Sequence, residues 1–269
     1  NTEVLMAFQI NTNLDAFNAY NALAKTSAST NKAQLRLATM KKINSVGDDT
    51  SGFKVGKELE AGNLKMKAQL NNISSGKNWL STAESALILV DDKLNQIIAK
   101  QEDAKDPLKS STSLQNDIKA IADEINSILT NTKINGTDVL ASVAQSFGSG
   151  GSASSVINIG AQVDLTSNQA ALTAVQAGNA GSLTQDVAAF QADVKTALGY
   201  IGNYSQTFAS REEYLTSSIA NNTALISSIF DADMAMEQLN ATKGQIGTQI
   251  GTAMLGTLNA APQSLLSLF

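Results

Sequence analysis

Four places in this 269-residue chain carry residues of the kinds that chemistry uses. Asp48 and Asp49 are adjacent carboxylates, the type that holds a hard cation or shares a proton transfer. No third oxygen ligand stands near them, and calcium takes about six to eight. The simpler reading is a helix-start turn, where acidic groups cap free amide N–H groups and meet the positive end of the helix dipole. The run FGSGGS from Phe147 has the glycines of a phosphate cradle. It lacks the lysine-serine pair and the strand-to-helix setting that such a cradle requires, so it reads as a turn. Asp91-Asp92 and Arg211-Glu212-Glu213 read as solvated helix faces or as ion pairs between subunits. Exposed pairs contribute only about 0–1 kcal/mol each, though they can set register.

Elimination goes further. There is no cysteine and no histidine. Disulfides, thiolate chemistry, zinc–histidine centres, histidine triads and HExxH proteases are therefore excluded. The net charge is −5 and 16% of residues are charged, with no basic stripe for a nucleic acid. Apolar stretches last a few residues, far short of the roughly 20 that span a bilayer, so membrane insertion is not expected. No basic segment followed by an apolar run opens the chain, so no cleaved signal peptide is expected. No catalytic, cofactor or metal site is assigned. Met234, Met236 and Met254 read as core filler, and Trp79 as a partly buried packing residue just off a helical seam.

The elements that carry these residues are helical. Ile73, Gly76, Leu80, Ala83, Leu87, Val90, Leu94 and Ile97 recur at alternating intervals of three and four, a heptad seam. A helix from about Ser51 to Lys105 would be on the order of 80 Å long, stopping ahead of Asp106-Pro107 because proline disfavours helix before it. Thr112 and Gln115 have the spacing of a capping box ahead of Leu114, Ile118, Ile121, Ile125 and Ile128, and the Asn131–Gly136 stretch ends that helix. Ser182 and Gln185 have the same spacing ahead of Leu183, Val187, Phe190, Val194, Ala197, Ile201, Tyr204 and Phe208. Between these helices, residues 141–155 are low in complexity, Ile157–Leu165 alternate with period two as a short strand, and 166–181 are polar and alanine-rich.

The two ends resemble each other. Ile10, Leu14, Phe17, Ala24, Ala28, Leu35 and Ala38 fall on one helical face, as do Ile246, Ile250, Ala253 and Leu258. Residues 244–269 have no charged side chain, and Gly244, Gly247, Gly251 and Gly256 weaken a lone helix by up to about 1 kcal/mol each. Small residues at this spacing instead permit close approach to neighbouring helices, and the segment reads as one ordered by packing against other chains. The expected fold is mainly α: a long α-helical hairpin or coiled-coil rod with a small β-containing tip, its termini paired at one end. The expected division is 1–40 with 232–269 as terminal helices, and 41–231 as an inner helical domain with a small β region at about 135–180.

Several stretches resemble bacterial flagellin. They are MAFQINTNLDAFNA (Met6–Ala19), KKINSVGDDTSG (Lys41–Gly52), ISSGKNWLSTAESAL (Ile73–Leu87), INGTDVLA (Ile134–Ala141), INIGAQVDL (Ile157–Leu165) and nearly all of the chain after Ser227. The match to the family start falls at Met6, leaving Asn1–Leu5 as an extension. The last residue is Phe269, where family members often end in Leu-Arg, and the middle is short, without large outer domains.

The resemblance implies a non-enzymatic subunit exported through the flagellar type III channel without a cleaved signal peptide. It implies polymerisation outside the cell into a hollow helical filament for swimming. The termini would form the inner coiled-coil core, with Ile10, Leu14, Phe17, Leu35, Ile246, Ile250, Leu258, Leu265 and Leu266 as its apolar contacts. Implied partners are further copies of the chain, an export chaperone, and hook-associated and cap proteins. The helix aligned with the receptor-sensing arginines of some family members has Gln96 and Ile98 there, which implies weak activation of the flagellin-sensing Toll-like receptor. A hook–filament junction protein and a secreted coiled-coil adhesin are the alternative expectations.

Overall fold

The structure, a computed structural model, describes residues 13–140, 145–147, 156–157 and 169–266. Among these, six helices dominate: α1 (Leu14–Thr39), α2 (Thr50–Asp103), α3 (Ser111–Asn131), α4 (Gln169–Gln176), α5 (Ala188–Phe230) and α6 (Met234–Leu266). Two short antiparallel ladders complete the inventory. They are β1 (Lys133–Ile134) with β2 (Thr137–Asp138), and β3 (Gln145–Ser146) with β4 (Val156–Ile157).

The contacts divide the chain into two compact units. One comprises Asn1–Gly62 with Asn221–Phe269, and the other Asn63–Ala220. The divisions expected at 40/41 and 231/232 differ from these. They fall instead where helices break, at the left-handed Met40 (φ 58°) and between α5 and α6. The first turns of α2 and the last of α5 stay with the terminal pair because they pack on the breaks themselves. Phe230 is buried, and its ring meets the Phe53 ring edge-on at 6.3 Å.

In the unit Asn63–Ala220, the heptad seams lie in the core. Ile73, Leu80, Ala83, Leu87, Val90, Leu94 and Ile97 of α2 are buried with Val187, Phe190, Val194, Ala197, Ile201 and Phe208. The apolar face of α3 closes this core with Ile118, Ile121 and Ile125. Burying a large apolar side chain stabilises by about 1.5–3 kcal/mol, so this seam is the main source of the unit's cohesion. Gly76 lies against the ring of Phe208, which explains a glycine inside the seam. Trp79 is buried and tilts against Phe147 at 5.8 Å, which docks the end of β3 on α2.

Local boundaries depart from the sequence expectation in three places. The cap of α3 is Ser110, whose Oγ accepts the Ser113 amide at 3.4 Å, so Thr112 lies inside the helix. Ser182 and Gln185 do not open a helix. A 3-10 turn at Ala180–Leu183 precedes α5, and Gln101 Nε2 donates to the carbonyls of both Ser182 and Gln185 at 3.0 and 2.9 Å. Those tertiary bonds hold the segment out of helix until Asp186 accepts the Ala188 amide at 2.8 Å. Finally, the alanine-rich stretch forms α4, where Leu172 and Val175 are buried.

The first ladder is a two-residue hairpin. Asn135 and Gly136 both have positive φ (49° and 78°), as a primed turn requires. Of the expected strand Ile157–Leu165, only Ile157 is among the described residues, and most of FGSGGS also lies outside them.

Candidate functional site

The terminal helices carry the residues on which the expected activity rests. Asn13 caps α1, its Oδ1 accepting the Ala16 amide at 3.0 Å, while its Nδ2 donates to the Leu258 carbonyl at 3.0 Å. That bond ties the start of α1 to α6. The two helices then pair along a seam with its own heptad spacing. On α1 the inward positions are Ala16, Ala19, Leu23, Thr26, Thr30, Ala33 and Leu37. On α6 they are Glu237, Ala241, Gly244, Thr248, Gly251, Leu255 and Leu258.

This seam is made largely of small residues. A Cβ on Gly244 would overlap Thr30 Oγ1 and lie 3.0 Å from Thr30 Cβ. One on Gly251 would lie 2.9 Å from Leu23 Cδ1, and one on Gly247 3.2 Å from Thr26 Cγ2. Here the glycines admit a neighbouring helix of the same chain.

The large apolar residues point the other way. Leu14, Phe17 and Leu35 of α1 are exposed at 64%, 61% and 51%. Ala24, Ala28 and Ala38, expected on that face with them, are exposed too. On α6, Ile246 and Ile250 are exposed at 52% and 55%, with Leu239 beside them. Leu258 does not share their face. It is half-buried on the seam toward α1, because 246, 250 and 253 keep heptad phase and 258 is one residue out of it. Ile10 lies outside the described residues, and Leu265 and Leu266 fall in the last turn of α6, where only the helix is described. Each terminal helix is thus two-faced: a mostly small row, with Leu23, Leu37, Leu255 and Leu258 in it, binds its partner in the chain, and Leu14, Phe17, Leu35, Leu239, Ile246 and Ile250 remain exposed. Burying the exposed half of these six large side chains would contribute about 5–9 kcal/mol, comparable to a domain's whole stability.

Charge is gathered at one end of the pair. Arg36 donates to Glu237 Oε1 at 2.9 Å, and Glu237 is buried. Lys32 Nζ lies 2.7 Å from Asp48 Oδ1. Asp48 also accepts the amides of Asn44 and Ser45, at 3.1 and 3.0 Å. The Lys32 hydrogen bond, aided by those two amides, holds its carboxyl far below the usual carboxylate range. Asp49 has a separate role. It caps α2, its Oδ1 accepting the Gly52 amide at 2.9 Å. Asp233 caps α6 in the same way, accepting from Ala235 and Met236 at 3.0 and 3.1 Å.

An isolated bridge between Lys41 and Asp231 joins the two links, with the Lys42 amide on the Phe230 carbonyl at 2.7 Å and the Ala232 amide on the Met40 carbonyl at 3.0 Å. Arg36, Glu237, Lys32 and Asp233 escaped the sequence reading. The available signal was that Arg36 is one of two arginines, and Glu237 the last acidic residue before an uncharged end.

Elsewhere, Gln96 and Ile98 are exposed on α2. Asp92 is exposed and Asp91 half-buried, while Glu212 pairs with Lys77 at 2.7 Å within the chain. Met234, Met236 and Met254 are exposed, at 40%, 54% and 55%, so the core-filler expectation is wrong for all three. They lie away from the α1 seam, which small residues already fill. Among the described residues, no group of three or more acidic side chains is placed to hold a metal ion, and no helix is long and apolar enough to cross a membrane.

Comparison with known proteins points the same way. Residues 10–145 match the family profile of the bacterial flagellin N-terminal helical region, and residues 184–269 that of the C-terminal helical region. The chain is 28% identical to the flagellar filament 33 kDa core protein of Treponema phagedenis, over 96% of this chain and 99% of that one. It is also 28% identical to a flagellin of Bacillus subtilis, over 97% and 99%, and 26% identical to one of Brucella melitensis, over 96% and 98%.

Proposed function

The chain belongs to the bacterial flagellin family, a structural subunit of the flagellar filament outside the cell, and we propose that it polymerises through the outward apolar faces of α1 and α6. One observation carries this reading. Leu14, Phe17, Leu35, Ile246 and Ile250 are all more than half exposed, on helices whose inward faces are already filled. Further copies of the chain would cover them. Ile10, Leu265 and Leu266 extend the same contact set in sequence, and Leu258 contributes by holding α6 to α1. A repeated contact between two different faces whose rotation does not close a ring gives open-ended growth and a helical polymer.

Several finer points belong to this proposal. The subunit leaves the cell through the flagellar export channel without a cleaved signal peptide, escorted by a chaperone, and meets hook-associated and cap proteins at the filament ends. Residues 1–40 and 232–269 form the filament core, and 41–231 the shell around it. No catalytic activity is part of this reading. A hook–filament junction role is not favoured, because the full-length relatives are named as flagellins and a filament core protein.

Seeded polymerisation tests it. The intact chain should elongate filament seeds, while Ile250→Asp should leave the seeds short without lowering the melting temperature of the free subunit. Normal elongation by Ile250→Asp would refute the assignment of that face.

A further inference from the structure

All the sulfur in this chain is in six methionines, since cysteine is absent. Buried methionines would be inert packing, but Met236 and Met254 are more than half exposed. They fall at either end of one strip on α6. Met236, Leu239, Ile246, Ile250 and Met254 follow each other at intervals of three, seven, four and four, which keeps them on one side of a helix. Two charged residues lie between them, Glu237, which is turned to Arg36 of α1, and Lys243. The strip faces away from the small-residue seam that binds α1.

We propose that Met236 and Met254 form an oxidation-sensitive site through which peroxides block assembly of the free subunit. The inference rests on the polymerisation reading above. The step is an oxygen transfer. The thioether sulfur attacks the terminal peroxide oxygen, the S–O bond forms as the O–O bond breaks, the methionine is oxidised to its sulfoxide, and hydrogen peroxide is reduced to water. The product replaces a flexible apolar side chain with a polar one. Within α1 and α6 of one chain this costs little, because neither side chain is buried there. At a contact between copies the sulfoxide must be desolvated without a designed partner, which disfavours docking. The same contact shields both thioethers once a subunit is in place. Free subunits are therefore vulnerable and assembled ones protected. Met40 and Met234 are also exposed, but they stand in the α1–α2 link and at the start of α6, off the strip.

The test treats purified subunit with hydrogen peroxide, maps each sulfoxide by peptide mass spectrometry, and follows elongation of filament seeds. Parent protein and the double variant M236L/M254L, which keeps the strip apolar, are compared before and after treatment. The expected result is that treated parent carries sulfoxide at both positions and elongates about tenfold or more slowly, while the treated variant elongates at its untreated rate. In preformed filaments, Met236 and Met254 should oxidise far more slowly than in free subunit, a comparison that needs no variant.

The proposal is overturned if either position resists oxidation in the free subunit, or if fully oxidised parent elongates normally. It also fails if the treated variant stalls as well, or if filaments give no protection. Failure of untreated parent to elongate would instead remove the polymerisation reading on which it rests.

Discussion

Gly244→Ala is the sharpest test of the α1–α6 seam. The new Cβ would overlap Thr30 Oγ1 and stand 3.0 Å from Thr30 Cβ and 3.3 Å from Cγ2. Thr30 cannot simply rotate. Its Oγ1 donates to the Thr26 carbonyl at 2.8 Å, and the methyl would take the vacated place. The seam offers little slack elsewhere, since a Cβ on Gly247 or Gly251 would also stand only 3.2 Å from Thr26 Cγ2 or 2.9 Å from Leu23 Cδ1. The helices must separate locally. Overpacking of this kind costs about 1–3 kcal/mol, and replacing a mid-helix glycine with alanine returns up to about 1 kcal/mol. With that offset in full, the net loss is about 0–2 kcal/mol per subunit. The seam is made within one chain, so the loss appears in the free subunit, as a lower unfolding free energy. The assay is denaturant titration of the free subunit. Thr30→Ala removes the oxygen and the methyl, so the double variant should recover most of the loss. A Gly244→Ala protein more stable than the parent would refute the reasoning.

Other predictions follow from the same geometry. Because the Asp48 carboxyl is depressed by Lys32 and two amides, its contacts stabilise whenever the pH is above the unfolded-state value, about 4, and are lost as the pH falls further. Asp48→Asn should therefore lower the urea midpoint at pH 7, with the difference from the parent shrinking below about pH 4. A constant difference would contradict the assignment. Gly76→Ala would place a Cβ 2.5 Å from Phe208 Cε2 and 3.1 Å from Phe147 Cγ, lowering the melting temperature of the free subunit by about 2–6 °C. Gly199→Ala meets nothing within 4 Å and should raise it by a few degrees instead. Arg36→Ala strands the buried Glu237 carboxylate and should cost about 2–4 kcal/mol of unfolding free energy, measured by denaturant titration. In a reporter-cell assay, purified subunit should activate the flagellin-sensing Toll-like receptor weakly, given Gln96 and Ile98 on the exposed face of α2. A full-strength response would contradict that.

The heptads of the inner unit were legible because their large residues are also their buried ones. Ile73 through Ile97 announce a seam, and that seam is the core. The terminal helices follow a different logic. Their strongest apolar pattern, Leu14, Phe17 and Leu35, marks the outward face, while the contact within the chain is written in Ala, Thr and Gly, which hydrophobic periodicity underweights. Leu258 was misplaced for that reason, since its phase is visible only once the glycines are recognised as the inward row. The starts of α3 and α5 were also missed. Thr112 and Ser182 sit at plausible cap spacings, but Ser110 and the bonds from Gln101 decide the matter, and the second is a tertiary effect that no local pattern carries. Arg36 and Glu237 are 201 positions apart, too distant for spacing to pair them.

The account turns on which faces of α1 and α6 meet within a chain and which meet between chains. A high-resolution electron-microscopy map of the assembled filament decides this directly. The prediction is that Thr30 and Gly244 touch within one subunit, while Leu14, Phe17, Ile246 and Ile250 are buried against neighbouring copies. A map in which those four side chains line solvent, or in which Gly244 packs on a neighbouring chain, would contradict the account.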